Sequence, residues 1–139
     1  MASFIYLSAS EDEARGAIDY DTDTFKQVLL TSSYTPNQTT HTKRSDLTNE
    51  VANGNGYTTG GVAVVPTIAK NTTDKRLVIT FPAVSWAAST ITARYSAVYK
   101  SRGGAASADE LVFLLDFGGD VSSTGNTFSV SASVITRQL

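Results

Sequence analysis

The chain has 139 residues, a net charge of −2, 41% hydrophobic and 17% charged residues, and no cysteine. That length holds a single domain with a core of its own, and the missing cysteine excludes disulfide frameworks, thiolate metal sites and cysteine nucleophiles. No long basic run and no apolar stretch of about 18 residues is present, which argues against a nucleic-acid partner and against a membrane helix.

Met1–Ser10 lacks the basic region and long apolar run of a secretory leader. Within it Phe4-Ile5-Tyr6-Leu7 reads as a short strand or an arm. Ser10 and Glu13 have capping-box spacing, and Glu11, Asp12 and Glu13 suit a helix N-terminus, so Glu11–Ala17 reads as one or two helical turns ending near Gly16. An acidic irregular segment, Asp19–Thr24, leads into a buried strand over Phe25–Thr31 centred on Val28-Leu29-Leu30. Ser32–Ser45 is a polar loop with Pro36 and Asn37 as turn formers. Asp46–Val51 can form a helical turn. Asn53-Gly54-Asn55-Gly56 contains two Asn-Gly pairs, a strong tight-turn signal.

Val62–Ala69 reads as a strand interrupted by Pro66, which predicts an edge or a bulge. In Arg76–Phe81, Leu77, Ile79 and Phe81 share one face, and Pro82 ends the run. Ala83–Trp86 is short and extended. Thr90–Lys100 is the longest candidate strand, with Ile91, Ala93, Tyr95, Ala97 and Tyr99 on one face. Leu111–Phe117 reads as a central strand stopped by Gly118-Gly119. Phe128, Val130, Ala132 and Val134 alternate with serines in a final strand. The predicted core is Leu29, Leu77, Ile79, Ile91, Tyr95, Leu114 and Val130. Strands separated by Gly, Asn, Pro and Ser clusters indicate an all-β fold, an antiparallel β-sandwich of jelly-roll-like character with one or two short helical turns. Residues 1–139 read as one sandwich domain, with 1–10 as a candidate N-terminal arm.

Few residues offer chemistry. Asp19, Asp21 and Asp23 have the alternate spacing of a calcium loop, but Thr24 stands where that loop needs Gly and Leu30 where it needs a bidentate Glu. They are a weak metal candidate, and the plainer reading is carboxylates bonding backbone donors around a turn. His41 is the only histidine. It lies in a polar loop, where it reads as solvated, with no Gly-x-Ser-x-Gly elbow or His-Glu-x-x-His pair around it. Asp116-Phe117-Gly118 spells a kinase motif without its companions. Trp86, Tyr95 and Tyr99 could form a sugar platform, although their pattern favours core or interface anchors. No catalytic residue, cofactor or obligatory metal is expected. Phe4, Tyr6, Tyr34 and Tyr57 fall in or near arms and loops, and are the interface candidates. The arm Met1–Leu7 and the loop Ser32–Ser45 are the expected contact elements.

Four segments together carry a family likeness: IDYDTDTFKQVLLTSSYTPN (Ile18–Asn37), NEVANGNGYTTGG (Asn49–Gly61), VSWAASTITARYSAVYK (Val84–Lys100) and LLDFGGDVSSTGNTF (Leu114–Phe128). The chain resembles small head-associated virion proteins of tailed bacteriophages. The first fifteen residues depart from that pattern in being more acidic. The resemblance implies a non-enzymatic structural protein, first of all a capsid cement or decoration protein. It would be assembled in the host cytoplasm, sit on the capsid surface, and bind the major capsid protein and itself as a dimer or trimer. A neck, tail or fibre-associated protein is the alternative, and a carbohydrate-binding module of the virion is a third class. No catalytic residues carry over from the resemblance.

Overall fold

The computed structural model describes residues 3–139. Its strands are β1 (Phe4–Ile5), β2 (Phe25–Leu30), β3 (Val62–Val64), β4 (Thr67–Asn71), β5 (Arg76–Phe81), β6 (Val84–Lys100), β7 (Leu111–Val130) and β8 (Ser133–Gln138). One helix, α1 (Leu7–Ala14), and two single 3-10 turns, Arg44–Asp46 and Ala106–Ala108, complete the regular structure. The strands form two antiparallel sheets, β1-β7-β6-β2-β3 and β4-β5-β8. The expected all-β sandwich is therefore present. Within it β4–β5 and β6–β7 are hairpin neighbours in one sheet, where a strict jelly roll would alternate such strands between sheets.

The chain changes sheets at three short corners. Val65-Pro66 separates β3 from β4, Pro82-Ala83 separates β5 from β6, and Ser131-Ala132 separates β7 from β8. Proline cannot donate to a ladder, so it sits where the ladder is broken. Pro66 thus divides two strands of different sheets and does not interrupt a single one. The last two corners lie side by side, because Phe81 pairs with Ser133 in one sheet and Val84 with Val130 in the other.

Alternation along β2 divides the core. Between the sheets Phe81 meets Phe25 and Phe113, with Ile79 and Ile135 in the same cluster, while Val28 and Leu30 face the other side of the large sheet, beside Ala97 and Tyr95. Leu29 points the opposite way, into a second cluster with Tyr57, Trp86, Ile91, Phe128 and Val130. Both faces of β2 are buried, which is why it reads as a continuous apolar run. Of the predicted core only Leu77 is half-buried.

Several element boundaries differ from expectation. The helix starts at Leu7, ahead of Ser10, and has no side-chain cap. Its N-terminal end is fixed instead from outside, by Leu7 N–H on the Gln38 carbonyl at 3.0 Å, and by the fully buried Ala9. The C-terminal end comes as expected at Gly16, which has a φ of +79°. Val84–Trp86 and Thr90–Lys100, expected as separate segments, belong to one strand, β6. Gly118-Gly119 does not stop β7. Tyr95 pairs with Asp116 but Ala93 with Val121, so the glycines lie in extra residues bulged out of β7. The bulges let β7 curl until the Phe117 and Phe128 rings stand 6.2 Å apart. The expected helical turn over Asp46–Val51 is displaced to Arg44–Asp46.

Candidate functional site

The residues expected to make contacts were placed by sequence in an arm and a loop. The structure docks both onto the sandwich. Phe4 and Ile5 pair with Leu114 and Phe113 on β7, and Gln38 Nε2 donates to the Ile5 carbonyl at 3.0 Å. Met1 and Ala2 of the expected arm lie outside the described residues. The Ser32–Ser45 loop is closed by its own side chains. Asn37 Oδ1 accepts from the N–H groups of Thr39 and Thr40 at 3.1 and 3.0 Å, and Asp46 Oδ2 from those of Thr42 and Lys43 at 2.8 and 3.1 Å. These backbone donors hold the Asp46 carboxyl below its ordinary range, that of Thr42 above all.

Three of the four interface candidates are core residues. Tyr6, Tyr34 and Tyr57 are buried, and only Phe4 is half-buried. A phenol can be buried when its hydroxyl keeps a partner. The Tyr6 and Tyr34 hydroxyls lie 3.0 Å apart, and Tyr34 is 2.7 Å from His41 Nδ1. This chain fastens the entry to α1 onto the loop. It also corrects the reading of His41, which is a half-buried hydrogen-bond partner of Tyr34. Tyr57 donates to Glu50 Oε2 at 2.6 Å and accepts from Leu29 N–H at 3.2 Å. Burial pushes all three phenols up, and Tyr99 to about 12.

Tyr57 reaches the second cluster by way of the Asn-Gly turn. Asn55 and Gly56 have φ values of 53° and 89°, and Gly54 and Tyr57 exchange backbone hydrogen bonds at 2.8 and 3.0 Å. This is the left-handed two-residue turn that Asn-Gly favours. Trp86, Tyr95 and Tyr99 are likewise buried, so no exposed sugar platform is formed.

Asp19, Asp21 and Asp23 surround a turn. Asp19 Oδ1 accepts from Asp21 N–H at 2.9 Å, which holds its carboxyl down. Asp23 Oδ2 accepts from Asp19 N–H at 2.8 Å and pairs with Lys100 Nζ at 2.9 Å. A metal would have to displace that ammonium. Among the described residues no group of three His, Asp or Glu side chains is placed to hold a metal ion.

Sequence reasoning missed an ionic belt at the same end of the sandwich. Asp109, almost wholly buried, pairs with Arg44 at 2.8 Å, and Arg44 stacks over Tyr99 at 4.9 Å. Glu110 takes a two-pronged bond from Arg102 at 2.8 and 2.6 Å, which lowers its carboxyl. The belt ties the Ser32–Ser45 loop to the start of β7. Arg44 and Asp109 are 65 positions apart, and no local spacing marks that pair.

The exposed large apolar side chains are scattered over the surface. Leu7 lies on α1, Val65 in the corner before β4, Ile68 on β4, Val121 on β7, Val134 on β8 and Leu139 at the last residue, all exposed. Between β1, the facing part of β7 and β8 runs a cleft of about 200 Å³, lined by Ser3–Ile5, Phe113–Leu115 and Ser133–Ile135. Its lining has no titratable side chain. An arrangement of this kind can hold an apolar segment, with the Ser3 and Ser133 hydroxyls as the only polar side chains in its lining.

Comparison of the chain with family models, curated proteins and solved structures returned no match in any of the three.

Proposed function

We propose that this protein is a structural component of a tailed-phage virion, a cement or decoration protein that binds the major capsid protein on the outside of the head. The reading begins with the family likeness of the four quoted segments. The observation that carries it further is how the surface is allotted. The tyrosines and the tryptophan are spent inside, the Ser32–Ser45 loop is closed by its own hydrogen bonds, and the exposed large apolar groups are scattered singly over the surface. A body of this kind suits many modest contacts repeated by symmetry, where avidity replaces a single tight site.

The test is addition of purified protein to heads prepared without it. Saturable binding, with hundreds of copies per particle in a stained gel, is the expected result for a head-surface protein in a closed symmetric shell. About a dozen copies would move the assignment to the neck or tail. No binding to heads would remove the cement reading.

A further inference from the structure

We propose that Asn55 is a site of spontaneous covalent modification, deamidation through attack by the Gly56 nitrogen, and that the fold slows the equivalent step at Asn53. The inference rests on the Asn-Gly turn and does not depend on the virion reading.

The chain has two Asn-Gly steps, Asn53-Gly54 and Asn55-Gly56. A glycine after asparagine leaves its backbone nitrogen unshielded, because no Cβ stands beside it. All four residues are exposed, so solvent reaches both steps. Their hydrogen bonds set them apart. Gly54 N–H donates to the Tyr57 carbonyl at 2.8 Å, and Asn53 Oδ1 accepts from Thr59 N–H at 3.0 Å. At Asn53 the attacking nitrogen and the carboxamide it would attack are therefore both held. At the second step, Gly56 N–H has no acceptor and the Asn55 carboxamide has no partner among the described residues. Only the Asn55 carbonyl is tied, by Thr90 N–H at 2.9 Å. Closing a ring at Asn55 strains that one contact, whereas closing one at Asn53 breaks two.

The fold also keeps the reactive pair in place. Asn55 has a φ of 53°, a left-handed conformation in which asparagine is enriched. A Cβ on Gly56 would stand 2.8 Å from Ser89 Cα and Cβ. The tight turn thus calls for the same two residues that cyclise readily.

In the reaction the deprotonated Gly56 nitrogen attacks Asn55 Cγ. An N–Cγ bond forms, the Cγ–Nδ2 bond breaks, and Nδ2 leaves as ammonia with the proton that the amide gave up. Water then opens the cyclic imide at either carbonyl. One opening gives aspartate and the other isoaspartate, whose backbone runs through the former side chain. Nothing is oxidised or reduced. Either product adds one negative charge to a chain of net charge −2. Isoaspartate also lengthens the turn by one backbone atom. That strains the paired bonds between Gly54 and Tyr57, which deliver the Tyr57 hydroxyl to Leu29 N–H and Glu50.

Trypsin places both steps in one peptide, residues 45–70, because no Lys or Arg lies between its ends. The intact protein is aged in mildly alkaline buffer, then digested in heavy-oxygen water so that conversion during work-up is marked. Fragment-ion mass spectrometry assigns each converted residue. Folded protein should convert at Asn55 roughly tenfold faster than at Asn53, a barrier difference of about 1.4 kcal/mol. The same chain unfolded in guanidinium chloride should convert both at similar rates. Equal rates in the folded protein, faster conversion at Asn53, or no conversion at Asn55 while the unfolded sample reacts would each overturn the proposal. So would an equal preference for Asn55 in the unfolded sample, since the preference would then belong to the sequence and not to the turn.

Discussion

The Ser89 and Ser123 hydroxyls lie 2.9 Å apart, buried between β6 and β7 where the ladder joining those strands is broken on both sides of Ser89. Ile91 N–H donates to Ser123 Oγ at 3.2 Å. Ser123 can then donate to Ser89, and Ser89 onward to the carbonyls of Trp86 and Asn126, at 2.9 and 3.0 Å. One short relay satisfies the groups that the bulge unpairs. The relay also seats the Asn-Gly turn, since Thr90 N–H reaches the Asn55 carbonyl at 2.9 Å. Ser89→Ala should cost about 1–3 kcal/mol, the usual result of leaving buried polar groups unpaired. Urea unfolding monitored at Trp86 gives the value. An unchanged midpoint would show that water takes over the relay.

Gly61 is held against β2. A Cβ there would lie 1.9 Å from the Gln27 carbonyl oxygen, at a φ of +79°. The clash is with backbone, so no rotamer relieves it. Gly61→Ala should cost more than about 4 kcal/mol, the exceptional end of point substitutions. Gly103 has a similar φ of +80° but open space around it. Gly103→Ala should cost only the roughly 1–2 kcal/mol of a left-handed alanine. Equal losses at the two positions would mean that contact at Gly61 is not what forbids a side chain.

Acid should loosen the belt end of the sandwich first. The Glu110 carboxyl is held down by Arg102, and that of Asp46 by the Thr42 N–H. A carboxylate whose folded pKa is depressed adds stability that is full above its unfolded pKa, and loses it as pH falls through the folded value. Stability should therefore decline as pH drops below the ordinary carboxylate range near about 4. Asp12 acts in the opposite sense, since burial raises its carboxyl. Its penalty applies above the carboxylate range and fades on acidification. Arg102→Gln should be less stable than the unmodified chain at neutral pH, and the gap should close in acid. A gap that persists in acid once Glu110 is protonated would assign Arg102 a packing role.

The parts of the fold legible in the sequence are those set by neighbours in the chain. Alternation at Leu77, Ile79 and Phe81 found the inner face of β5, and Asn55-Gly56 announced its turn. Gly118-Gly119 misled because a glycine pair ends a strand and bulges one by the same freedom of φ. Only pairing with β6 decides between them. By sequence Tyr34 and Tyr57 read as surface aromatics because they stand in polar and glycine-rich loops, and Tyr6 because it lies in an N-terminal arm. Their hydroxyls find partners at His41 and Glu50, and no local pattern shows that. The pairing of Arg44 with Asp109 is the same case with charges. Prolines 66 and 82 gave the ends of strands but not the change of sheet beyond them.

The tyrosines provide the sharpest separation between core and contact roles. Tyr57→Phe removes the acceptor of Leu29 N–H and a donor to Glu50, while the ring keeps its place beside Trp86. Tyr34→Phe cuts the link between Tyr6 and His41. Each should lower stability by about 1–3 kcal/mol, because a buried partner is left unpaired in both. Neither hydroxyl reaches the surface, so under the proposed cement role neither change should alter the amount of folded protein that attaches to heads. The two readouts are the denaturant midpoint and the occupancy of added protein on heads. Weaker attachment at an unchanged midpoint would return Tyr34 or Tyr57 to the contact surface, and the burial argument would fail at that residue.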